Sequence, residues 1–342
     1  MGQDVYGVVR GQAVQFRPEW RDDTPHFQLL LRAGRAPFRI AVNTRSNEPG
    51  PGNSDLLYLV DERFRHPVTE RLERMPPGFT RVAKRPGGAA VDYLRANLFD
   101  PSCMNRIPAH LPGPENDLND ELAFHANRSI HDPAVEFFVV GNRWGPERGH
   151  PDEVFDFEPG NGVHDIHMNQ GNTGRHAHGN GPWQDGAIFV RGPGDDRWVA
   201  IFLAFQGQFW HTDHRGDPVP AAPAARTPNG DTFGPGEPCT AVRIVAGMVN
   251  PVEGGERTVT LLNITPEDAR LDGWSLADDR DRRQPLHGLV PAGQTRVVPI
   301  ERPLDVRWDG GALTLYDPDG LRVHGVSWTK RETRRRGWTV AF

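Results

Sequence analysis

From Asp217 to Glu237 the chain reads DPVPAAPAARTPNGDTFGPGE, a run of Pro, Ala and Gly without hydrophobic periodicity. That composition suits an exposed linker and no packed element. It predicts three parts: a strand-rich domain over 1–218, a linker over 219–240 and a second domain over 241–342. The length agrees, since 342 residues at roughly 100 to 200 per domain suggest two domains or three. The 38 glycines and 32 prolines stand well above the usual ~12 % of a chain. A backbone that turns so often is no long helical bundle or coiled coil.

Downstream of the linker, short strand-like runs recur at 242–249, 258–263, 273–277, 295–300, 312–316, 323–328 and 338–342, punctuated by Asp309-Gly310-Gly311 and Asp319-Gly320. Short strands at near-regular spacing with such turns predict an immunoglobulin-like β-sandwich. Upstream, β-like runs at 5–16, 27–32, 38–44 and 56–60 precede two helical patches. One covers about 91–98. The other begins after Asn116 and Asp117, with Leu118, Leu122, Ala126 and Ile130 in helical spacing until Pro133 stops it. Strand character returns at 135–140, 187–190 and 198–205, the last nearly all apolar. The expected fold class is mainly β: a strand-dominated α+β domain, then the sandwich.

The net charge of −6 argues against a surface that wraps nucleic acid as a whole and leaves room for a local basic patch. Only Lys84 and Lys330 are lysines. Neither stands in a phosphate loop or a Schiff-base signature. Cys103 and Cys239 lack C-x-x-C spacing and cannot by themselves form a thiolate cluster. The start MGQDVYGVVRGQAVQF has neither the basic head nor the apolar core of a signal peptide, and no run approaches 18 apolar residues. A soluble cytoplasmic protein with no membrane contact is expected.

Seven of the 14 histidines (150, 164, 167, 176, 178, 211 and 214) fall between positions 150 and 214. Their centre is GNGVHDIHMNQGN, residues 160–172. Read as a strand from His164 to Gln170, it puts Asp165, His167 and Asn169 on one face and His164, Ile166, Met168 and Gln170 on the other. A second cluster, QGQFWHTDH at 206–214, follows the apolar strand, and Gly207 permits a bend that aims His211 and Asp213 at the first. Imidazoles with carboxylates suit a divalent cation (Zn, Mn or Mg) that activates water or polarises a phosphoryl oxygen. H-E-x-x-H is absent. A metal-free acid/base site built on imidazole is the chemical competitor; turn-capping by Asn, Asp and His is the structural one.

The loop 171–181, GNTGRHAHGNG, offers Arg175 as an anion-binding charge, with a plain flexible loop as the default. Asn116 to Glu121 is acidic, which helix capping and dipole matching explain better than a cation site. Lys330 to Arg336 is the one basic run; a solvated loop is the ordinary reading, with phosphate binding beside it.

Tyr6-Gly7-Val8, Pro25 to Gln28, Ala41-Val42-Asn43, Leu56 to Val60, Pro112 to Asp120 and the H-D-I-H-M-N-Q-G-N motif together resemble a bacterial family known as domain of unknown function 2278, over about 4–218. That family brings no activity to transfer. Val259 to Asn263, Leu271 to Asp278, Gly310 to Leu315 and Gly337 to Val340 resemble a lamin-tail domain. This second resemblance implies an immunoglobulin-like sandwich, of which bacterial versions are often appended to nucleases and other hydrolases. The functional expectation is a metal-dependent hydrolase, a phosphodiesterase or nuclease acting on a phosphate-containing substrate or nucleic acid. His164, Asp165, His167, His211 and Asp213 are its candidate metal ligands or acid/base groups, and Asn169, Gln170 and Arg175 hold substrate. The alternative is a non-enzymatic ligand-binding or scaffolding protein whose sandwich mediates assembly.

Overall fold

The structure, a computed structural model, describes residues 5–19, 26–44, 56–82, 97–99, 105–106, 117–164, 166, 186–194, 197–205, 242–318, 320 and 322–342. They fall into two compact units. The first draws on Met1–Phe64, Thr69–Lys84 and Met104–Trp210, the second on Arg65–Val68, Arg85–Cys103 and His211–Phe342. The fold is mainly β.

Among the described residues the first unit carries strands β1 (Val5–Pro18), β2 (His26–Ala33), β3 (Ala36–Asn43), β4 (Leu56–Asp61), β5 (Gly78–Arg81), β6 (Asn105–Arg106), β7 (Glu136–Glu147), β8 (Gly160–His164), β9 (Ala187–Arg191) and β10 (Trp198–Phe205). Helix α1 (Val68–Glu73) follows β4 in the chain and helix α2 (Leu118–His131) precedes β7. The long first strand closes the sheet on itself. Its second half, from Gln12, pairs with β2, while Val5 to Gly11 pair with β7. β2 pairs with β3, β3 runs parallel to β8, and β8 returns to β7. The result is a barrel β1-β2-β3-β8-β7, extended through β9, β10, β4 and β6 on one side and β5 on the other.

The barrel core follows from strand alternation. Val9 and Ala13 on β1, Phe27, Leu29 and Leu31 on β2, and Phe38, Ile40 and Val42 on β3 point inward at a period of two, broken only by the β1 bulge between Ala13 and Gln15. Each such side chain taken from water contributes about 1.5–3 kcal/mol. α2 adds Leu118, Leu122 and Ala126 to this core. Asp117 caps it, accepting from Asp120 N at 3.1 Å, so the acidic start is indeed cap chemistry. Ser129 ties the helix to β1 and to the chain beyond it: its hydroxyl accepts from Ala13 N at 3.0 Å and donates to Val135 O at 2.8 Å. Ile130, expected on the buried stripe, is 38 % exposed. An i, i+4 series drifts about 40° per step on a 3.6-residue helix, so by its fourth member the stripe has passed to Ser129.

The second unit is a sandwich. One sheet has the order β17-β12-β11-β20 and the other β15-β14-β18-β19, with a small ladder β13–β16. In chain order the strands are β11 (Val242–Met248), β12 (Thr258–Asn263), β13 (Ala269–Arg270), β14 (Ser275–Asp278), β15 (Arg283–Pro285), β16 (Leu289–Val290), β17 (Thr295–Pro299), β18 (Gly310–Tyr316), β19 (Arg322–Thr329) and β20 (Val340–Ala341), with helix α3 (Lys330–Thr333) after β19. Val242, Ile244, Val259 and Leu261 from one sheet meet Leu276, Leu313, Leu315 and Trp328 from the other.

Beyond 241–342, this unit takes in residues 97–99. Asn97, in the left-handed region at φ 51, buries its amide on β18 and β19. Nδ2 donates to Leu313 O at 2.7 Å and Val326 O at 3.2 Å, and Oδ1 accepts from Thr314 Oγ1 at 3.1 Å and Arg322 Nε at 3.3 Å. Gly325 makes the space, for a Cβ there would lie 1.8 Å from Asn97 Oδ1. Asn97 and Leu98, expected to end a helix, stand here in a turn; the rest of 91–96, like the linker at 219–240, lies outside the described residues.

Candidate functional site

Of the candidate residues, His164 is described; Asp165, His167, Asn169, Gln170, Arg175, His211 and Asp213 lie outside the described residues. His164 is the last residue of β8, paired with Asn142 of β7 and exposed. The expected strand from His164 to Gln170 is corrected: the strand is Gly160–His164 and ends where the reading started it. The reason lies in the core. Val163 and Ile166 are both buried in the barrel, and residues three apart cannot share one face of a continuous strand. Ile166 lies outside any strand and is buried whereas His164 is exposed, so the two do not share a face; Asp165 and residues 167–170 lie outside the described residues.

What surrounds His164 was not legible beforehand. Its ring lies 5.8 Å from that of Trp144, and Arg39 places its guanidinium 4.8 Å from the Trp144 ring on β7. Arg39 is held by Asp152, whose Oδ2 accepts from Arg39 Nε at 2.7 Å while Oδ1 accepts from the Val154 and Phe155 amides at 3.1 and 2.9 Å. Trp144 rests directly on β8 because Gly162 has no side chain: a Cβ there would lie 2.1 Å from the indole and 2.1 Å from Arg39 O. Arg39, Trp144 and His164 thus form a cation–aromatic–imidazole row across three adjacent strands.

Through strand alternation, the neighbouring residue on β7 points the other way. Arg143 lies between the rings of Phe38 (5.8 Å) and Phe79 (5.0 Å), and its Nε donates to Asn161 Oδ1 at 3.0 Å. Burial pushes its pKa below the ordinary guanidinium value. No carboxylate lies within ion-pair range of it among the described residues. On α2, Glu121 accepts from His125 Nε2 at 2.8 Å, and that hydrogen bond, with the imidazole's charge, holds the Glu121 carboxyl below its usual range against the opposing effect of burial. His125 Nδ1 is buried without a partner among the described residues.

Among the described residues no group of three His, Cys, Asp or Glu side chains is placed to hold a metal ion. His164 is an exposed imidazole; the row beside it offers a cation and a flat aromatic face. Sequence reasoning found His164 from the histidine density and missed Arg39, Trp144, Arg143 and Asp152. The signal it lacked was register, which joins Arg39 to residues more than 100 positions away and Trp144 to His164 across a strand pair.

The fold defines a mainly β protein with a closed, extended barrel in one unit and a sandwich in the other. The chain belongs to the family described as uncharacterized conserved protein (DUF2278), which it matches over residues 1–217. It is 39% identical over 222 residues to the uncharacterized protein YukJ of Bacillus subtilis (strain 168), an overlap of 64% of this chain and 96% of that protein. Among the described residues no helix is long and apolar enough to cross a membrane.

Proposed function

We propose that the first unit is a metal-dependent hydrolase of phosphodiesters, a phosphodiesterase or nuclease, working where β8 ends. The observation that carries this reading is the position of His164, an exposed imidazole on the last residue of a barrel strand, in a row with Trp144 and Arg39. Directly after it the sequence runs Asp165-Ile166-His167-Met168-Asn169-Gln170. His164, Asp165, His167, His211 and Asp213 supply the imidazoles and carboxylates for a divalent cation and for proton transfer; Asn169, Gln170 and Arg175 orient the phosphodiester. A cation there stabilises negative charge developing on a phosphoryl oxygen and lowers the pKa of bound water. Small closed barrels also serve as oligonucleotide-binding scaffolds, an analogy of architecture that fits the substrate class. The lamin-tail likeness of residues 241–342 belongs to the same proposal, as an appended domain.

The test is turnover of a generic phosphodiester, single-stranded DNA and RNA with Mg, Mn or Zn, with and without chelator, by the wild type and by His164→Ala and His167→Ala. Loss of both kcat and kcat/KM with an unchanged melting temperature is expected. Hydrolysis that survives undiminished in both variants rules out this centre; hydrolysis indifferent to chelator retains the enzyme and removes the metal.

A further inference from the structure

Residues 330–336, KRETRRR, place five basic side chains in seven positions of a chain whose net charge is −6. The run is ordered. Glu332, its one acid, is engaged locally, accepting from Thr329 N at 2.7 Å and Thr329 Oγ1 at 2.9 Å in a capping box that starts α3. Thr333 is buried, and its hydroxyl donates to the carbonyls of Trp308 and Thr329. Asn250 secures both flanks of residues 334–336: its Nδ2 donates to Thr333 O at 2.8 Å and its O accepts from Gly337 N at 2.7 Å. Arg336 Nε donates to Pro251 O at 2.9 Å. Lys330, Arg334, Arg335 and Arg336 are exposed, and no carboxylate lies within ion-pair range of these four among the described residues.

Two indoles adjoin the run: Trp308, whose carbonyl accepts from Thr333 Oγ1, and Trp338, whose backbone N–H donates to Arg335 O. Trp338 is 60 % exposed and Trp308 39 %. Each carries a cation from the run: Arg335 lies 4.6 Å from the Trp338 ring centroid and Lys330 Nζ 5.5 Å from that of Trp308. Exposed apolar surface rimmed by polar groups marks contact surfaces where it is contiguous. Cations interleaved with flat aromatic faces match one ligand chemistry in particular, a phosphodiester chain whose bases are free to stack. A lipid surface is the poorer fit. Interfacial anchors use a helix with a broad apolar face, whereas α3 spans four residues and projects charges.

We propose that the face formed by Trp308, Lys330, Arg334, Arg335 and Trp338 binds single-stranded nucleic acid, bases stacking on the indoles and phosphates meeting the cations. The backbone is already fixed by the hydrogen bonds of Thr333 and Asn250, so binding orders side chains only and loses little entropy. The surface is a binding site in its own right and does not depend on hydrolysis at the barrel.

The experiment is fluorescence anisotropy of a short labelled oligothymidylate with the full-length protein, chelator present throughout so that no metal-dependent cleavage intervenes. Trp338→Ala is expected to weaken binding about tenfold, the scale of losing one stacked base. Joint replacement of Arg334 and Arg335 by Ala is expected to flatten the slope of log K against log salt by about 1.4, roughly 0.7 per phosphate contact on a single strand. Arg335→Lys alone, which keeps the charge, leaves the slope at its wild-type value. All these side chains are exposed, so melting temperatures stay within a degree or two. Absence of binding at low salt, or binding that neither variant reduces, overturns the proposal. Capture of phosphatidylserine vesicles that the same variants abolish, with oligonucleotide binding unchanged, assigns the face to anionic membranes and equally overturns it.

Discussion

The barrel and the sandwich are both β-sheets wrapped round an apolar core, yet different contacts stand out in each. In the barrel, strands and side chains approach where a side chain is missing. A Cβ on Gly7 would meet Phe79 and Thr80 O at 2.4 Å, one on Gly141 would meet His164 O at 2.4 Å, and one on Gly162 would meet Arg39 O at 2.1 Å. In the sandwich, loops are held by buried polar side chains. Asn263, fully buried, donates to the carbonyls of Glu267, Val290 and Pro291 and accepts from Thr265. Asp278, 2 % exposed, accepts from the amides of Arg280, Arg282 and Asp305. Asn97 does the same for residues 97–99. These barrel contacts therefore break when atoms are added and these sandwich contacts when they are removed, although Gly325 gives the sandwich a close approach of its own.

The largest expected effect is on the barrel. Gly162→Ala forces a methyl group into the Arg39 carbonyl, and backbone gives way less readily than a side chain; a loss of about 4 kcal/mol or more, beyond the usual range of point mutants, is expected in denaturant unfolding. A soluble variant within 1 kcal/mol of the wild type would mean that the strands shift freely and would break the contrast. In the sandwich, Asn263→Ala removes a side chain that serves three carbonyls and leaves them buried; about 3 kcal/mol is expected. The control is Asn263→Asp, which keeps the acceptor and loses the donors and should be nearly as damaging.

Asn97→Ala sharpens the comparison, because its partners lie more than 200 residues away. A loss of about 2 kcal/mol is expected, together with faster amide exchange at residues 97–99 than in the strands they cover. Exchange unchanged at Leu98 and Phe99 would show that their own burial, at 4 % and 8 % exposure, suffices. On the barrel surface, Glu136 takes Arg10 in a two-point pair at 3.0 and 2.9 Å and also meets Arg191 at 3.0 Å. With Arg10 and Glu136 16 % and 15 % exposed and Arg191 32 %, Glu136→Gln should cost about 1–2 kcal/mol, less in high salt.

The smallest effect is a pH dependence. The carboxyl of Glu121 is held below its unfolded-state value by the hydrogen bond from His125. A depressed carboxylate stabilises the fold fully above its unfolded pKa and loses that contribution as pH falls through the folded one. Stability measured from pH 7 down past about 4 should fall more steeply in the wild type than in Glu121→Gln, by about 0.5 kcal/mol, the scale of an i, i+4 pair. Parallel acid limbs would mean the pair is energetically silent.

Local signals carried the elements. Strand-like runs placed β2 and β3 to within a residue or two, and a nearly unbroken apolar run placed β10, because strands print their burial directly into the sequence. Asp117 was readable as a helix cap because capping is a contact three residues long. His164 stood out by composition. Its setting did not: Trp144, Arg39 and Asp152 reach it only through the pairing of β7 with β8 and of β8 with β3, contacts between segments that carry no mutual mark in the sequence. The reading of 164–170 as a strand failed at Ile166 because burial in the barrel overrode alternation.

The amino-acid sequence by itself determined that this protein is mainly β, where most strands run, and that histidines and acids gather around 164 and 211. Tertiary structure alone decided that β1 closes a barrel by pairing with both β2 and β7, that Trp144 lies across Gly162 beside His164, and that Asn97 packs into a sandwich whose partner strands lie more than 200 residues further along the chain. The physical reason is one of range. Strand periodicity, caps and turns are energies between residues a few positions apart and are written locally, whereas register, close backbone approach and the burial of a distant amide are energies between segments that meet only once the chain has folded.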